Sequence, residues 1–257
     1  MSRMPLSFEC QGRRCGATLD TAPGSTGLLI VSGGNEIRAG AFNGQARLAA
    51  DIAAAGFPVF RYDRRGIGDS EGENRGFRKA RKDIAAALAS FGAMAPQLSR
   101  IVGFGNCDAA SSLMLFGGAG CDALVLSNPW AIEENASSLP PSAIRSRYAA
   151  RLKDPRELKR LLTGGVDLRK LAGGLRQAGR TSSKPSGLIE EMRAGLADFA
   201  GPVRILLADN DRTAQHFTDA WDAADPRVRR IADAGHSYAS PEGHAWLRAQ
   251  LLDVLRG

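Results

Sequence analysis

The sequence predicts a mostly parallel, doubly wound α/β sheet with a helical cap inserted into it, and three observations carry that reading. Short apolar runs alternate with helical stretches through the first half of the chain. Two of those runs, Gly27–Ser32 (GLLIVS) and Ala123–Ser127 (ALVLS), are almost wholly apolar, as central parallel strands covered on both faces must be. The alternation stops at Asn128-Pro129-Trp130 and resumes at Val203–Ala208, an interval too long for a plain loop in a compact domain.

In chain order, Leu6–Cys10 and Ala17–Asp20 read as an antiparallel pair at one edge of the sheet. Gly27–Ser32, Pro58–Tyr62, Arg100–Phe104 and Ala123–Ser127 follow as strands, with helical patterns between them at about 44–55, 77–91 and 109–116. Val203–Ala208, Val228–Ile231 and a last helix at about 241–255 complete the layers. The sheet domain is therefore expected over residues 1–130 and 201–257, and the cap over 131–200. The cap stretch is rich in Arg, Leu, Ala and Glu and is broken by Pro140-Pro141, Gly164-Gly165 and Gly173-Gly174.

With 257 residues, 44% hydrophobic and 24% charged, the chain has the composition of a globular domain that needs no disulfides to bury a core. Its four cysteines show no C-x-x-C spacing, so no zinc site is expected, and Cys10, Cys15 and Cys121 read as small buried side chains. Free thiols of this kind suit a reducing compartment. The opening residues carry no apolar core of signal-peptide length, and no stretch approaches the roughly 18 apolar residues of a membrane span. A cytoplasmic protein without a transmembrane segment is the expectation. Walker and dinucleotide fingerprints are missing, since Gly103-Phe104-Gly105 lacks the third glycine of G-x-G-x-x-G, so no cofactor is implied. Nor does a nucleic-acid motif or aromatic platform accompany the net charge of +7.

The strongest local signal is Val102-Gly103-Phe104-Gly105-Asn106-Cys107-Asp108-Ala109-Ala110, a strand running straight into a helix. Its G-x-C-x-A core is a variant of the nucleophile elbow G-x-S-x-G, where small residues two before and two after the nucleophile allow a sharp turn. The turn sets Cys107 at a helix N-terminus, whose dipole favours a thiolate. By itself the string is equally the form of an ordinary strand–glycine–helix junction with a buried cysteine. Further segments bear on that choice. Ser32-Gly33-Gly34-Asn35 follows the third strand, where glycines let the backbone N–H of Gly34 face a substrate oxygen, with the N–H of Asp108 as second oxyanion donor. Leu206-Leu207-Ala208-Asp209-Asn210-Asp211 carries an acid after a strand, Asp211 in the expected register and Asp209 as the alternative. Ala234-Gly235-His236 carries a histidine in a loop after the last strand. The other two histidines, His216 and His244, fall in helical patterns and read as structural.

Nucleophile, acid and base thus occur in the order used by the α/β-hydrolase fold. Asp63-Arg64-Arg65-Gly66-Ile67-Gly68-Asp69-Ser70 resembles the D-x-R-G-x-G-x-S loop of the same superfamily and reads as a structural turn under the site. With SGGNEIRAG early and GNCDAA at the elbow, nearly the whole chain resembles hydrolase 1 of exosortase A-associated systems. Those proteins are encoded beside machinery for exopolysaccharide production. A cysteine at the elbow is also similar to dienelactone hydrolase and the polyhydroxyalkanoate synthases, which share the fold and a Cys–His–Asp set. The departures are Ser32 in place of the usual histidine, Ala109 in place of the second glycine, and Ala208 in place of the glycine before the acid.

The resemblance implies a hydrolase acting on an acyl ester or thioester through Cys107, His236 and Asp211, by way of an acyl-enzyme. An acyltransferase drawing on an acyl-CoA or acyl-carrier donor is the alternative within that chemistry, and a catalytically silent binding protein is the alternative outside it. Ile144–Lys184 holds 12 Lys and Arg against three acids, a net +9. Arg156, Lys159 and Arg160 within it are candidates for holding an acidic acyl carrier protein or a coenzyme A thioester; a solvated helical face has the same composition.

Overall fold

The computed structural model describes residues 2–132 and 187–257. The chain enters its sheet through a hairpin: β1 (Arg3–Cys10) and β2 (Arg13–Asp20) pair antiparallel with Cys10 opposite Arg13. Gln11 and Gly12 between them both have positive φ, 53° and 69°. Two such residues in a two-residue loop give a turn whose twist matches that of paired strands.

The remaining strands are β3 (Thr26–Val31), β4 (Val59–Tyr62), β5 (Arg100–Asn106), β6 (Ala123–Ser127), β7 (Val203–Ala208) and β8 (Val228–Ile231). Their order across the sheet is β1-β2-β4-β3-β5-β6-β7-β8, antiparallel as far as β4 and parallel from there on. The helices are α1 (Gly44–Ala54), α2 (Arg81–Met94), α3 (Asp108–Leu115), α4 (Gly187–Ala197), α5 (Arg212–Ala220) and α6 (Pro241–Arg256).

Strand alternation divides the core into two halves. Leu29, Val31, Phe60, Tyr62, Leu124, Leu126, Ile205 and Leu207 face one side, where Ile84, Leu113, Ile189 and Phe217 of α2, α3, α4 and α5 cover them. Their neighbours Leu28, Ile30, Val59, Val125 and Leu206 face the other, under Leu48 and Ile52 of α1 and Leu247 and Leu251 of α6. Being buried on both faces is what required the near-continuous apolar runs.

Within the stretch expected to form the cap, α4 packs as a member of the sheet's helical layer. Leu188, Ile189, Met192 and Leu196 are buried in the core. Gly195 lies so close to the carbonyls of Met114 and Leu115 that any Cβ there would collide with them. The rest of the expected cap, 133–186, with Arg156, Lys159 and Arg160, lies outside the described residues. Among the described residues no helix is long and apolar enough to cross a membrane.

Because six successive strands run parallel, the loops leaving β3 through β8 emerge at one edge of the sheet, where ligands bind in folds of this kind.

Candidate active site

Cys107 sits between β5 and α3 with φ 62° and ψ −128°, a conformation that non-glycine residues rarely adopt. Gly105 makes it possible: a Cβ there would stand 2.6 Å from the Ala109 carbonyl carbon and 2.7 Å from the Ala110 nitrogen. The turn is tied to the next strand, since Cys107 N–H donates to Ser127 O at 3.0 Å and Cys107 O accepts from Trp130 N–H at 3.2 Å. Cys107 is half-buried, whereas the other three thiols are buried. Burial pushes the Cys15 thiol up to about 11 and the Cys121 thiol up to about 12, and it raises Cys10 as well.

Asp211 ends the turn after β7 and caps α5. Its Oδ1 accepts from Thr213 N–H at 3.1 Å and its Oδ2 from Ala214 N–H at 3.3 Å, satisfying helix donors that have no partner within the helix. The same Oδ2 lies 2.9 Å from His236 Nδ1. An ionised carboxylate only accepts, so Nδ1 carries the proton of that bond. His236 is pushed up to about 10, first by the bond to Asp211 and then by the neighbouring Cys107 side chain, against the effect of burial. The structure therefore brings Cys107 and His236 to one cavity, with His236 hydrogen-bonded to Asp211 behind it.

The other candidates fall elsewhere. Asp209 pairs with Arg230 at 2.9 Å on the surface. His216 is held on α5 by burial, which lowers its pKa, and its Nε2 has no partner among the described residues. His244 bonds Asp51 through Nε2 at 2.8 Å, joining α6 to α1, yet its ring also lines the cavity beside Cys107. The Asp63–Ser70 loop is a structural turn. Asp63 is fully buried and accepts from the N–H groups of Arg38 and Asp69, while Arg65 grips Asp83 at 2.8 and 2.9 Å.

The loop after β3 touches the elbow directly. A Cβ on Gly33 would come within 2.7 Å of Asp108 Oδ1 and 2.8 Å of Asn106 O, so only glycine fits there. Gly34 has φ 52°, and its N–H, expected to face a substrate oxygen, here donates to Asp108 Oδ1 at 2.6 Å. Arg64 closes the arrangement by donating to Gly34 O and standing 3.7 Å from Asp108 Oδ2.

A cavity of about 240 Å³ opens beside Cys107 and His236, walled by Glu36, Gln45, Leu48, Phe104, Tyr238 and His244. Glu36 accepts from Ala41 N–H and Gln45 Nε2, each at 2.6 Å, and burial raises its pKa. Sequence reasoning missed Glu36, Gln45 and His244. Their positions, in the loop after the glycine pair and in the first turns of α1 and α6, are the signal that could have found them, because these turns face the same sheet edge. Among the described residues no group of three or more His, Cys, Asp or Glu is arranged to hold a metal ion.

A family model described as Alpha/beta hydrolase family matches residues 28–248. Comparison with curated proteins finds no match. Among solved structures the chain is similar to the alpha/beta hydrolase GrgF from Penicillium sp. sh18, with a TM-score of 0.65 and 16% identity over 100% of this chain and 98% of that one. It is similar to an esterase of Pyrococcus furiosus, with a TM-score of 0.64 and 13% identity over 99% and 92% of the two chains. It is similar also to the thioesterase domain from the curacin biosynthetic pathway, with a TM-score of 0.57 and 13% identity over 98% and 100%. At these identities the likeness is one of fold.

Proposed function

The chain belongs to the alpha/beta hydrolase family, and from that premise we propose that it cleaves an acyl ester or thioester through Cys107, served by His236 and Asp211. The observation that carries this reading is the 2.9 Å bond between His236 Nδ1 and the doubly anchored Asp211 carboxylate, with His236 and Cys107 lining the same cavity.

The Cys107 thiolate attacks the acyl carbonyl carbon, and the tetrahedral oxygen takes up the charge. His236, held protonated by its two partners, gives its proton to the departing alcohol or thiol, and a thioester remains on Cys107. The neutral ring then takes a proton from water, whose oxygen attacks the thioester and releases the acid and the thiolate. The Asp108 N–H, at the first position of α3, has no partner within the helix and serves the tetrahedral oxygen. The Gly34 N–H joins it when the Asp108 carboxylate gives it up in favour of Arg64.

Transfer to an acceptor hydroxyl instead of water is the second reading. The net +9 of Ile144–Lys184 favours it, because a basic segment steers anionic donors such as a coenzyme A thioester or an acidic carrier. Reversing Arg156, Lys159 and Arg160 to glutamate then raises KM for an anionic donor and spares a neutral ester. The exopolysaccharide setting implied by SGGNEIRAG and GNCDAA frames the choice of acyl groups, and a reducing cytoplasm suits a thiol nucleophile. Incubation with a panel of acyl thioesters and esters, followed by intact mass and peptide mapping, tests the proposal. An acyl adduct on Cys107 that vanishes in Cys107→Ala supports it. A folded protein that gains no adduct and turns over no substrate is a binding protein instead.

A further inference from the structure

Asn128, the first residue after β6, is fully buried and has φ 42°. Asparagine is one of the few side-chain-bearing residues that enter this region at modest cost. Its amide reaches all three segments that carry the candidate triad. Oδ1 accepts from the N–H of Ala208 at 2.9 Å, at the end of β7 just before the acid turn. Nδ2 donates to Asn106 Oδ1 at 3.1 Å, on the residue immediately before Cys107, and stands 3.4 Å from the backbone oxygen of His236. Asn106 Nδ2 donates to that same His236 oxygen at 3.1 Å. On the far side of the histidine loop, the Tyr238 hydroxyl bonds Ser127 Oγ at 2.9 Å, again on β6.

We propose that Asn128 is the positioning residue that sets the spacing of Cys107, His236 and Asp211, with Asn106 as its intermediary. The chemistry of the position demands an amide. The head group must accept once, from Ala208, and donate to two oxygens that cannot donate back. A carboxylate offers only acceptors and would face Asn106 Oδ1 and His236 O without a proton between them; an aliphatic side chain takes the acceptor from Ala208 N–H and the donor from Asn106 Oδ1, and leaves His236 O with one donor instead of two. The N–H of Asn128 itself donates to Leu206 O at 2.8 Å, so the residue is fixed to β7 whatever its side chain does. What the amide adds is the link from β7 to the elbow and to the histidine loop.

The activity arm of the test rests on the hydrolase reading; the spectroscopic arm does not. Asn128→Gly relaxes the left-handed backbone while deleting the amide, and Asn128→Asp keeps the shape while removing the donors. The downfield proton of the His236–Asp211 hydrogen bond, read by NMR and assigned by its loss in Asp211→Ala, should shift or broaden in both variants. With a turned-over substrate, kcat should fall about 10- to 100-fold while KM stays within about twofold, the loss expected when reacting groups move by up to an ångström. Thermal melting of Asn128→Gly should show a folded protein throughout. An unmoved proton resonance together with wild-type kcat would overturn the proposal and leave Asn128 as a connector of β6 and β7. Should the wild type turn over nothing, the resonance alone decides the matter, and the failure falls on the hydrolase reading.

Discussion

Replacing Asp211 with asparagine separates the two jobs that its carboxylate performs. One job is structural: the carboxylate caps α5 through Thr213 N–H at 3.1 Å and Ala214 N–H at 3.3 Å. Asparagine and aspartate are near-equal as helix caps, so this job survives with a stability change of a few tenths of a kcal/mol, against about 1 kcal/mol for alanine. The other job is the 2.9 Å bond to His236 Nδ1, and that one fails. An amide must either set NH2 against the ring N–H and Ala214 N–H or turn its oxygen to them and abandon Thr213. The first choice forces the wrong tautomer, with the proton on the nitrogen that has to serve Cys107. The bond to Asp211 is also the largest reason that His236 is held up to about 10, so its loss weakens the imidazolium that we propose protonates the leaving group. Neutralising the equivalent carboxylate in a serine triad costs about 10⁴ in kcat. A thiol needs less help to ionise than a hydroxyl, so we expect a loss of about 10²- to 10⁴-fold, roughly 3–5 kcal/mol of barrier. Asp209→Asn breaks only the surface pair with Arg230, whose side chains are 40% and 42% exposed. Such a pair is worth about 0–1 kcal/mol, and its loss leaves kcat alone. Steady-state kinetics and thermal melts on both variants are the assay. Equal kinetic losses, or a larger loss at Asp209, would refute the assignment of the acid.

Limited iodoacetamide labelling at neutral pH should modify Cys107 first, because burial holds Cys15 near 11 and Cys121 near 12; peptide mapping that finds another thiol ahead of it counts against the elbow. His236, raised from 6.5 to about 10, contributes stability that is complete below about 6.5 and is lost as pH rises through about 10. With 44% of the ring side chain exposed, screening holds this to about 1–2 kcal/mol, seen as a fall in urea midpoint over that interval that is absent in His236→Gln. Asp108→Asn keeps an acceptor for Gly34 N–H, whereas Asp108→Ala unpins the loop beside a buried Arg64, so kcat should drop roughly tenfold more in the alanine variant. A rate at or above wild type in Asp108→Ala would mean that the loop keeps its place without the carboxylate, which then only withholds that N–H from substrate.

The sheet was legible wherever burial alone dictates sequence. Ala123–Ser127, Val203–Ala208 and Val228–Ile231 are strands with those same bounds. β5 extends two residues past the apolar run to Asn106, because pairing with Ser127 holds a polar residue in the sheet. The layer to which α4 belongs was not legible: its amphipathic pattern fits a cap or a core helix equally well, and the contact of Gly195 with α3 decides between them. Cys107, His236 and Asp211 stood out together as candidates because each occupies a short segment at a strand end, in an order that the fold constrains. Asn128 could not. Its partners lie 22 and 108 residues away in sequence, and nothing local marks a hydrogen bond across that distance. The grip of Asp108 on Gly34, across 74 residues, was hidden for the same reason.

The left-handed residues at the sheet edge explain why those distant bonds matter. Gly34, Cys107 and Asn128, which follow β3, β5 and β6, have φ of 52°, 62° and 42°. For glycine this is free, but for the other two it costs on the order of 1–2 kcal/mol each, and such strain persists only where surrounding contacts over-determine it. The contacts here are reciprocal. The turn at Cys107 is held by Ser127 O and by the N–H of Trp130, both from the chain around Asn128. Asn128 in turn is held by Asn106, one residue before Cys107. Each strained turn is held in part by the other, so the ends of β5 and β6 are linked, and the His236 loop is tied to them through the Asn106 and Asn128 amides. Relaxing either turn therefore moves the nucleophile and the base together. Substitutions at Asn106 and Asn128 should couple strongly in a double-mutant cycle, since each donates to the same His236 oxygen and the two amides are bonded to each other.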